Sequence, residues 1–578
     1  VLHRSGVYNA ALLCVNGVPI GMSAKGDLAG DGVHYEPRWF KPWPRTATGR
    51  MKLAGIDLPI GDLVYDIAGV RLGFEICEEA WVAHRVGAVL AHRAVDLVLN
   101  PSASHFAFDK DTVRERFVLE GSRAFGVTYL MANLVGNEAG RLVYDGGCRI
   151  ASGGTMVARG PRLHFAEVSV TDAVVDIDLG RSTRARTASF RADPQYDTDS
   201  TVRVAFEWPT VDRACSRGVG PVPQRDKREE FTRAISLCLF DYTRKSWSRG
   251  WVVSLSGGAD SAAVSTLCRH AIGLAAEELG AEAVWHTFGY ALGPVPENGA
   301  SVDEMVGRML TTVYQGTENS SDVTRDAARA VAEGLSCRHV EWDVDVMVAA
   351  CTSRVADALG RPLTWQSDDI PLQNIQARVR APGVWMLANA ESKLLLATSN
   401  RSEAAVGYAT MDGDTAGGLS PIAGIDKAFL RDWLRWMETD GTPALGPVPQ
   451  LRAVNVQQPT AELRPQEMGQ TDEDDLMPYP VLDAIERLAI RDKYTPLSVF
   501  ELMRGRHPDR SPREVAGWVD RFFKLWCRNQ WKRERYAPGF HVDDENLDPR
   551  TWCRFPILSS GFRRELAQVQ QRVKELEA

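Results

Sequence analysis

Short runs of apolar and β-branched residues alternate with amphipathic stretches along the whole chain. In its first third, residues 10–15, 70–76, 97–99, 127–132 and 170–177 read as strands, while 80–94 and 112–125 carry helical spacing. That mixture predicts a layered α/β unit. Residues 193–220, rich in Pro, Asp, Thr, Arg and Gly, read as a connecting stretch. A helical pattern over 228–245 then leads into W-V-V-S-L-S-G-G-A-D-S-A-A at 251–263. There a buried strand (251–255) meets Ser256-Gly257-Gly258 and a helical pattern running through Leu267. Strands and helices keep alternating beyond it, as in a parallel doubly wound sheet, whose ligands sit at the carboxyl ends of the strands. Past Asp483 the chain turns helical and aromatic-basic (Phe522, Phe523, Lys524, Trp526, Trp531, Lys532, Arg533), and 563–578 reads as a charged helix.

Composition narrows this picture. At 578 residues the chain is too long for one core and suggests two to four domains. Hydrophobic content of 44% and charged content of 25% are those of a soluble globular protein. A net charge of −8 without a basic stripe argues against nucleic acid as the main partner. The ten cysteines lack paired spacing, so neither a zinc site nor a disulfide framework is indicated, and the expected compartment is the reducing cytoplasm. No signal peptide or long apolar span points to a membrane. The chain begins at Val1 and enters structured-looking sequence at once, which suggests N-terminal truncation.

Candidate chemistry lies in several stretches. A strand, a tight glycine turn and a helix bring backbone N–H groups and the positive helix end to one point, which suits a phosphate. No Gly-Lys-Ser/Thr follows, so the loop is not a Walker A motif. Asp260 sits inside it, where a carboxylate helps phosphates only by holding a metal. In N-I-Q-A-R-V-R, helical spacing puts Asn374 and Arg378 on one face. In residues 394–422 an apolar strand ends at Thr398, Glu403 follows, and Asp412 and Asp414 lie in a Gly-rich loop of the kind that serves ligands. P-T-A-E-L-R-P and the acidic run Q-T-D-E-D-D close the set. Nearer the start, Cys77 lies between the strand V-R-L-G-F-E-I and a helix start, where a thiolate is favoured. Lys25 lies upstream of it and N-P-S-A-S-H-F downstream.

The Ser-Gly-Gly-Ala-Asp loop resembles that of the ATP pyrophosphatases. F-E-I-C-E-E-A-W, with the upstream Lys and the downstream N-P-S-A-S-H, resembles the nitrilase-type glutaminase domain of glutamine-dependent NAD synthetases. The C-terminal stretches resemble the synthetase domain of the same family. The resemblance implies an incomplete nitrilase-like α-β-β-α sandwich over 1–205, a linker over 206–227, and over 228–578 a Rossmann-like doubly wound parallel sheet with a helical extension. It makes Cys77 the nucleophile that forms a thioester with glutamine and Lys25 the stabiliser of the oxyanion, with Tyr35, Ser104 and Lys110 contacting glutamine. The family's general-base Glu precedes its Lys, and no Glu occurs among the twenty-four residues before Lys25. Truncation or loss of glutaminase activity would each account for that.

In the second half the resemblance implies ATP contacts at Ser256, Gly257, Gly258, Asp260, Ser261, Thr398, Lys427 and Thr460. It implies magnesium on Asp260 and Glu403, and deamido-NAD held by Asn374, Arg378, Glu403, Asp414 and Lys532. The implied reaction adenylates the nicotinate carboxylate of deamido-NAD, releases pyrophosphate, and lets ammonia displace AMP to give NAD. The ammonia comes from glutamine along an enclosed path, in a homo-oligomer. The alternatives are an ammonia-only NAD synthetase with a degenerate glutaminase domain, another ATP-pyrophosphatase amidotransferase such as a GMP or asparagine synthetase, and a non-catalytic nucleotide-binding protein derived from one.

Overall fold

Alternation along the strands decides the layers of the first unit. The computed structural model describes every residue except 31, 139, 192–199, 212, 221–224, 459–462, 466–472, 474–475 and 552. The chain divides into two units, Val1–Gly136 with Tyr144–Gln224, and Asn137–Val143 with Arg225–Ala578. The first unit holds β1 (Ala10–Val15), β2 (Val18–Ala24), β3 (Thr48–Leu53), β4 (Ile56–Gly61), β5 (Val64–Ile67), β6 (Val70–Phe74), α1 (Val86–His92), β7 (Leu97–Ser102), α2 (Lys110–Phe125), β8 (Thr128–Asn133), β9 (Arg149–Ser152), β10 (Thr155–Arg159) and β11 (Thr201–Val204). One sheet runs β10-β9-β8-β7-β6-β5-β11, the other β1-β2-β4-β3. Val64, Val98, Tyr129 and Met131 of the larger sheet pack with Val86, Leu90 and Val118 of α1 and α2. Their period-two neighbours Tyr65, Leu72, Leu97 and Leu99 pack with Leu13, Val15 and Ile20 of the smaller sheet. The result is the helix–sheet–sheet layering of a nitrilase-like sandwich.

Several local expectations need correction. Residues 170–176 form no strand: Val170 is exposed, and Asp176 instead caps a helix, Ile177–Arg186, by accepting from the N–H groups of Asp178 and Leu179. The helical spacing of 80–94 is interrupted because Arg85 turns inward to the buried Glu75 at 2.7 Å. The Gly87 N–H donates to the same carboxylate at 2.7 Å, so α1 begins only at Val86. Within 193–220, Thr201–Val204 is not a connector but a strand paired in parallel with β5.

The second unit continues with α3 (Lys227–Lys245), β12 (Trp251–Ser254), α4 (Ala259–Leu279), β13 (Leu310–Gly316), β14 (Arg338–Asp343), α5 (Asp345–Leu359), α6 (Trp365–Glu391), β15 (Leu394–Leu396), α7 (Arg401–Val406), α8 (Lys427–Thr439) and α9 (Tyr479–Glu486). Its sheet is parallel throughout, in the order β14-β13-β12-β15. β12 is central and fully buried on Trp251, Val252 and Val253, which explains its unbroken apolar run. Val384 and Ala388 of α6 cover one face of this sheet through Val252, Val313 and Leu395. The strand read as ending at Thr398 stops at Leu396, and α4 extends twelve residues beyond Leu267. A C-terminal helical core gathers Leu482, Ile485, Phe500, Val519, Phe522 and Trp526 with Ala404, Ala405 and Val406 of α7. Among the described residues no helix is long and apolar enough to cross a membrane.

Candidate active site

Two clusters of reactive groups result, one in each unit. In the first, Cys77 follows β6 with φ of 49°, a left-handed conformation that a non-glycine residue adopts only where its surroundings enforce it. Glu79 supplies part of that enforcement. Its carboxylate accepts from the Ile76 N–H at 2.7 Å and from the Gly26 N–H at 2.8 Å, so it fastens the residue before Cys77 to the residue after Lys25. Lys25, at the end of β2, is only 1% exposed, and its ammonium donates to Glu36 Oε2 at 2.5 Å. Glu36 also accepts from Asn9 Nδ2 and the Ala29 N–H, each at 2.7 Å.

Burial pushes the Cys77 thiol up, against the opposing pull of Lys25 and of a hydrogen bond from the Ala103 backbone. Burial also acts to raise Glu36, but the bonds from Lys25 and Ala29 carry it below the usual carboxylate range. Glu36, missed in sequence, lies eleven residues after Lys25 and not before it. Its signal was adjacency to Tyr35. Ser104 is buried, next to the Ala103 N–H that faces the thiol. Tyr35 is exposed. The Lys110 ammonium lies 2.9 Å from His105 Nε2 and 5.4 Å from the centre of the Trp81 ring.

The second cluster surrounds a cleft of about 670 Å³. Gly257 turns the chain with φ of 82°, and Gly258 takes the position before the first turn of α4. Ser261 Oγ accepts from the Ser256 N–H at 3.2 Å and donates to the Gly258 carbonyl at 3.1 Å, bracing the loop. Asp260 in the first turn of α4 accepts from Asn400 Nδ2 at 3.1 Å and from Lys427 Nζ. Glu403 accepts from the same ammonium at 3.0 Å. Asn400 caps α7 on the Glu403 N–H and Asp426 caps α8 on the Phe429 N–H, so each cap sets the helix that carries the next charged group. Arg401, 2% exposed, is enclosed by Asp426, Glu486, Asp543 and Glu545 at 2.8–3.6 Å, which together hold its pKa above the ordinary arginine value against the pull of burial.

Ser256, Gly257, Gly258, Asp260, Ser261, Thr398, Lys427, Asn374, Glu403, Asp414 and Lys532 all line this cleft. Arg378 does not. Its guanidinium donates to the Met411 carbonyl at 3.0 Å, while Asn374 one turn away accepts from Thr410 Oγ1 at 3.0 Å. Asp414 accepts from the Thr410 N–H at 2.9 Å, and burial pushes its carboxyl up. The Lys532 ammonium donates to the carbonyls of Gly407 and Ala409, each at 2.7 Å. Thr460 and most of the acidic run lie outside the described residues. Arg431 and Arg435, missed in sequence, line the cleft one and two turns after Lys427 on α8, and their spacing of four was the available signal.

A glycine turn at the carboxyl end of a central parallel strand, facing two carboxylates and an ammonium, is the arrangement of an ATP-pyrophosphatase-type ligase, here carried with a nitrilase-like sandwich in one chain. The NAD synthase family model matches residues 231–505. The glutamine-dependent NAD(+) synthetase of Oryza sativa subsp. indica is 32% identical, over 100% of this chain and 82% of the relative. The crystal structure of a glutamine-dependent NAD(+) synthetase from Cytophaga hutchinsonii matches with a TM-score of 0.78 at 40% identity, over 98% of this chain and 84% of that one. The glutamine-dependent NAD+ synthetase of Acinetobacter baumannii, solved in complex with ADP, shares the fold at 20% identity and a TM-score of 0.57, over 95% and 81% of the two chains. The chain belongs to the glutamine-dependent NAD(+) synthetase family. It is a carbon–nitrogen ligase that amidates deamido-NAD to NAD, with ATP as a substrate and glutamine as nitrogen donor.

Proposed function

We propose that the second-unit cleft carries out adenylation and amidation and that Cys77 releases the ammonia. The observation that carries this reading is the convergence of Asp260 and Glu403 on Lys427 beside the Ser256–Ser261 turn. The backbone N–H groups of the turn and the first turn of α4 receive ATP phosphates. The Lys427 ammonium takes up the charge that grows on pyrophosphate as it leaves. Thr398 stands beside it on the cleft wall, and we assign Thr460 the same role by resemblance.

Two carboxylates that share one ammonium are close enough together to share one hard cation, so Asp260 and Glu403 fit magnesium. Bound there, the ion would neutralise phosphate charge and polarise the bond to the leaving pyrophosphate. Asn374, Glu403, Asp414 and Lys532 orient deamido-NAD on the cleft wall, with Arg378 acting through Met411. AMP then leaves as ammonia attacks the acyl carbon.

In the first unit Cys77 Sγ attacks the side-chain carbonyl carbon of glutamine and Lys25 stabilises the oxyanion; the thiol proton passes to the departing nitrogen, the C–N bond breaks to release ammonia, and water cleaves the thioester to glutamate and the free thiol. Glu36, which accepts from three donors, keeps Lys25 aimed. Tyr35, Ser104 and Lys110 contact glutamine. We assign residues 1–205 to the glutaminase domain, 206–227 to a linker and 228–578 to the synthetase. Ten unpaired cysteines support a cytoplasmic setting.

The test is NAD formation from deamido-NAD, ATP and magnesium with glutamine or ammonium, followed together with AMP. NAD and AMP are expected in equal amounts from either donor. Cys77→Ala should lose only the glutamine-driven reaction, and Asp260→Asn both. A folded chain that makes no NAD from either donor overturns the reading.

A further inference from the structure

α7 and α8 each present a reacting-site side chain, and the α8 cap Asp426 already accepts from the Arg401 guanidinium of α7 at 3.3 Å. Asn400 and Asp426 satisfy the Glu403 and Phe429 N–H groups, so the N–H groups of Lys427 and Ala428 at the start of α8 find their acceptors on other elements. Ser402 Oγ, on the residue before Glu403, accepts from the Lys427 N–H at 2.8 Å. Asp483 of α9 takes the remainder. One of its carboxylate oxygens accepts from the Ser402 hydroxyl and the other from the Ala428 N–H at 3.3 Å. One turn earlier on α9, the Tyr479 ring lies under the Lys427 ammonium, 5.7 Å from nitrogen to ring centre. A single helix thus holds the start of α8 through Asp483, at Ala428 directly and at Lys427 by way of Ser402, and holds the Lys427 side chain through Tyr479.

We infer that Asp483 is a positioning residue for the synthetase reaction, locking the helix that bears Glu403 to the helix that bears Lys427 through Ser402 and the Ala428 N–H. This rests on the assignment of Lys427 and Glu403 above. Asp483 itself does not line the cleft, so its effect reaches ATP only through those two side chains. Ser402 is fully buried, so a hydroxyl that loses its acceptor there has no water to turn to. The lock therefore governs where Lys427 stands when pyrophosphate leaves, rather than how tightly ATP is held beforehand.

The experiment measures ammonium-driven NAD synthesis by the full chain, comparing wild type, Asp483→Asn, Ser402→Ala and the double variant, with unfolding midpoints recorded for each. Asn keeps the shape of Asp483 but turns one acceptor into a donor. The expected result is a kcat lowered roughly 10- to 100-fold, with KM for ATP and for deamido-NAD within about threefold of wild type. The double variant should fall no further than the lower single one, because both act through one link. Should Asp483→Asn fail to fold, Ser402→Ala carries the test through the same split between kcat and KM. Unchanged kcat in a folded variant, or kcat losses that multiply in the double variant, overturns the inference. A wild-type chain that makes no NAD from ammonium sinks the site assignment itself, a result separable from unchanged kcat in an active background.

Discussion

A Cβ at Gly257 would lie 2.0 Å from the Thr324 carbonyl oxygen, and the residue's φ is 82°. Both the left-handed backbone and the close approach therefore demand glycine. Gly257→Ala combines about 1–2 kcal/mol of backbone strain with a clash that only movement of the phosphate turn relieves. ATP affinity measured by calorimetric titration should drop at least about tenfold. Glu79 permits a prediction of a different kind. Burial pushes its carboxyl up to about 7, against its two N–H donors and Arg45, and Asp27 adds to the rise. Between the unfolded value of 4.5 and about 7, the folded chain keeps a proton that the unfolded chain has lost. Its contribution is thus whole below 4.5 and fades as pH rises through 7, a change of about 3 kcal/mol. Glu79→Gln cannot titrate, so its stability relative to wild type should climb across that window in denaturant unfolding. A flat difference would place the carboxyl's pKa elsewhere. At pH 8 the same variant should lose glutamine-driven NAD synthesis and keep the ammonium-driven reaction, since it disturbs only the segments bearing Lys25 and Cys77.

Among the elements, α7 shows most sharply what a chain pattern can and cannot reveal. Six residues are too few for a helix to persist by itself, so its neighbours must hold it. Arg533 donates to the carbonyls of Ala404 and Ala405 at 3.2 and 2.7 Å, Asn529 to that of Val406 at 2.7 Å, and Lys532 to those of Gly407 and Ala409. Arg533 also lies 3.8 Å from the centre of the Trp526 ring, and burial brings its pKa down to about 10, which leaves it charged at neutral pH. Arg533→Ala strands two buried carbonyls and should cost roughly 2–4 kcal/mol in urea unfolding, with ammonium-driven activity falling as α7 loosens. None of this clamp was legible in the sequence, because its partners lie more than a hundred residues from α7. β12 and the turn after it were legible, since a buried central strand must be continuously apolar and a left-handed turn must use glycine. Residues 170–176 misled because β-branched residues favour strands only when a neighbouring strand is there to pair. Glu36 is only eleven residues from Lys25, but nothing in that spacing shows that the folded backbone brings the two side chains together.

At the scale of the molecule, one surface calls for a partner. α5 buries none of its residues, yet Met347, Cys351, Val355 and Leu359 recur every fourth position and form one apolar row. On α6, which packs against α5, Ile370 and Met386 are exposed by 67% and 73% and Trp385 is also exposed. Isolated apolar side chains on a surface need no explanation, whereas a row of four along one helix face is a pattern that association faces share. We propose that a second copy of the chain covers it, in keeping with the homo-oligomer that the family resemblance implies. α6 also carries Asn374 on the cleft wall, so covering its outer face would steady the helix to which we assign part of the hold on deamido-NAD. Val355→Asp places a charge in the row without touching the cleft. Sedimentation velocity at micromolar concentration should show wild type associated and the variant shifted to the monomer, with KM for deamido-NAD raised by severalfold. A wild-type chain that sediments as a monomer would remove the partner, while a variant that stays associated would move the interface to another face.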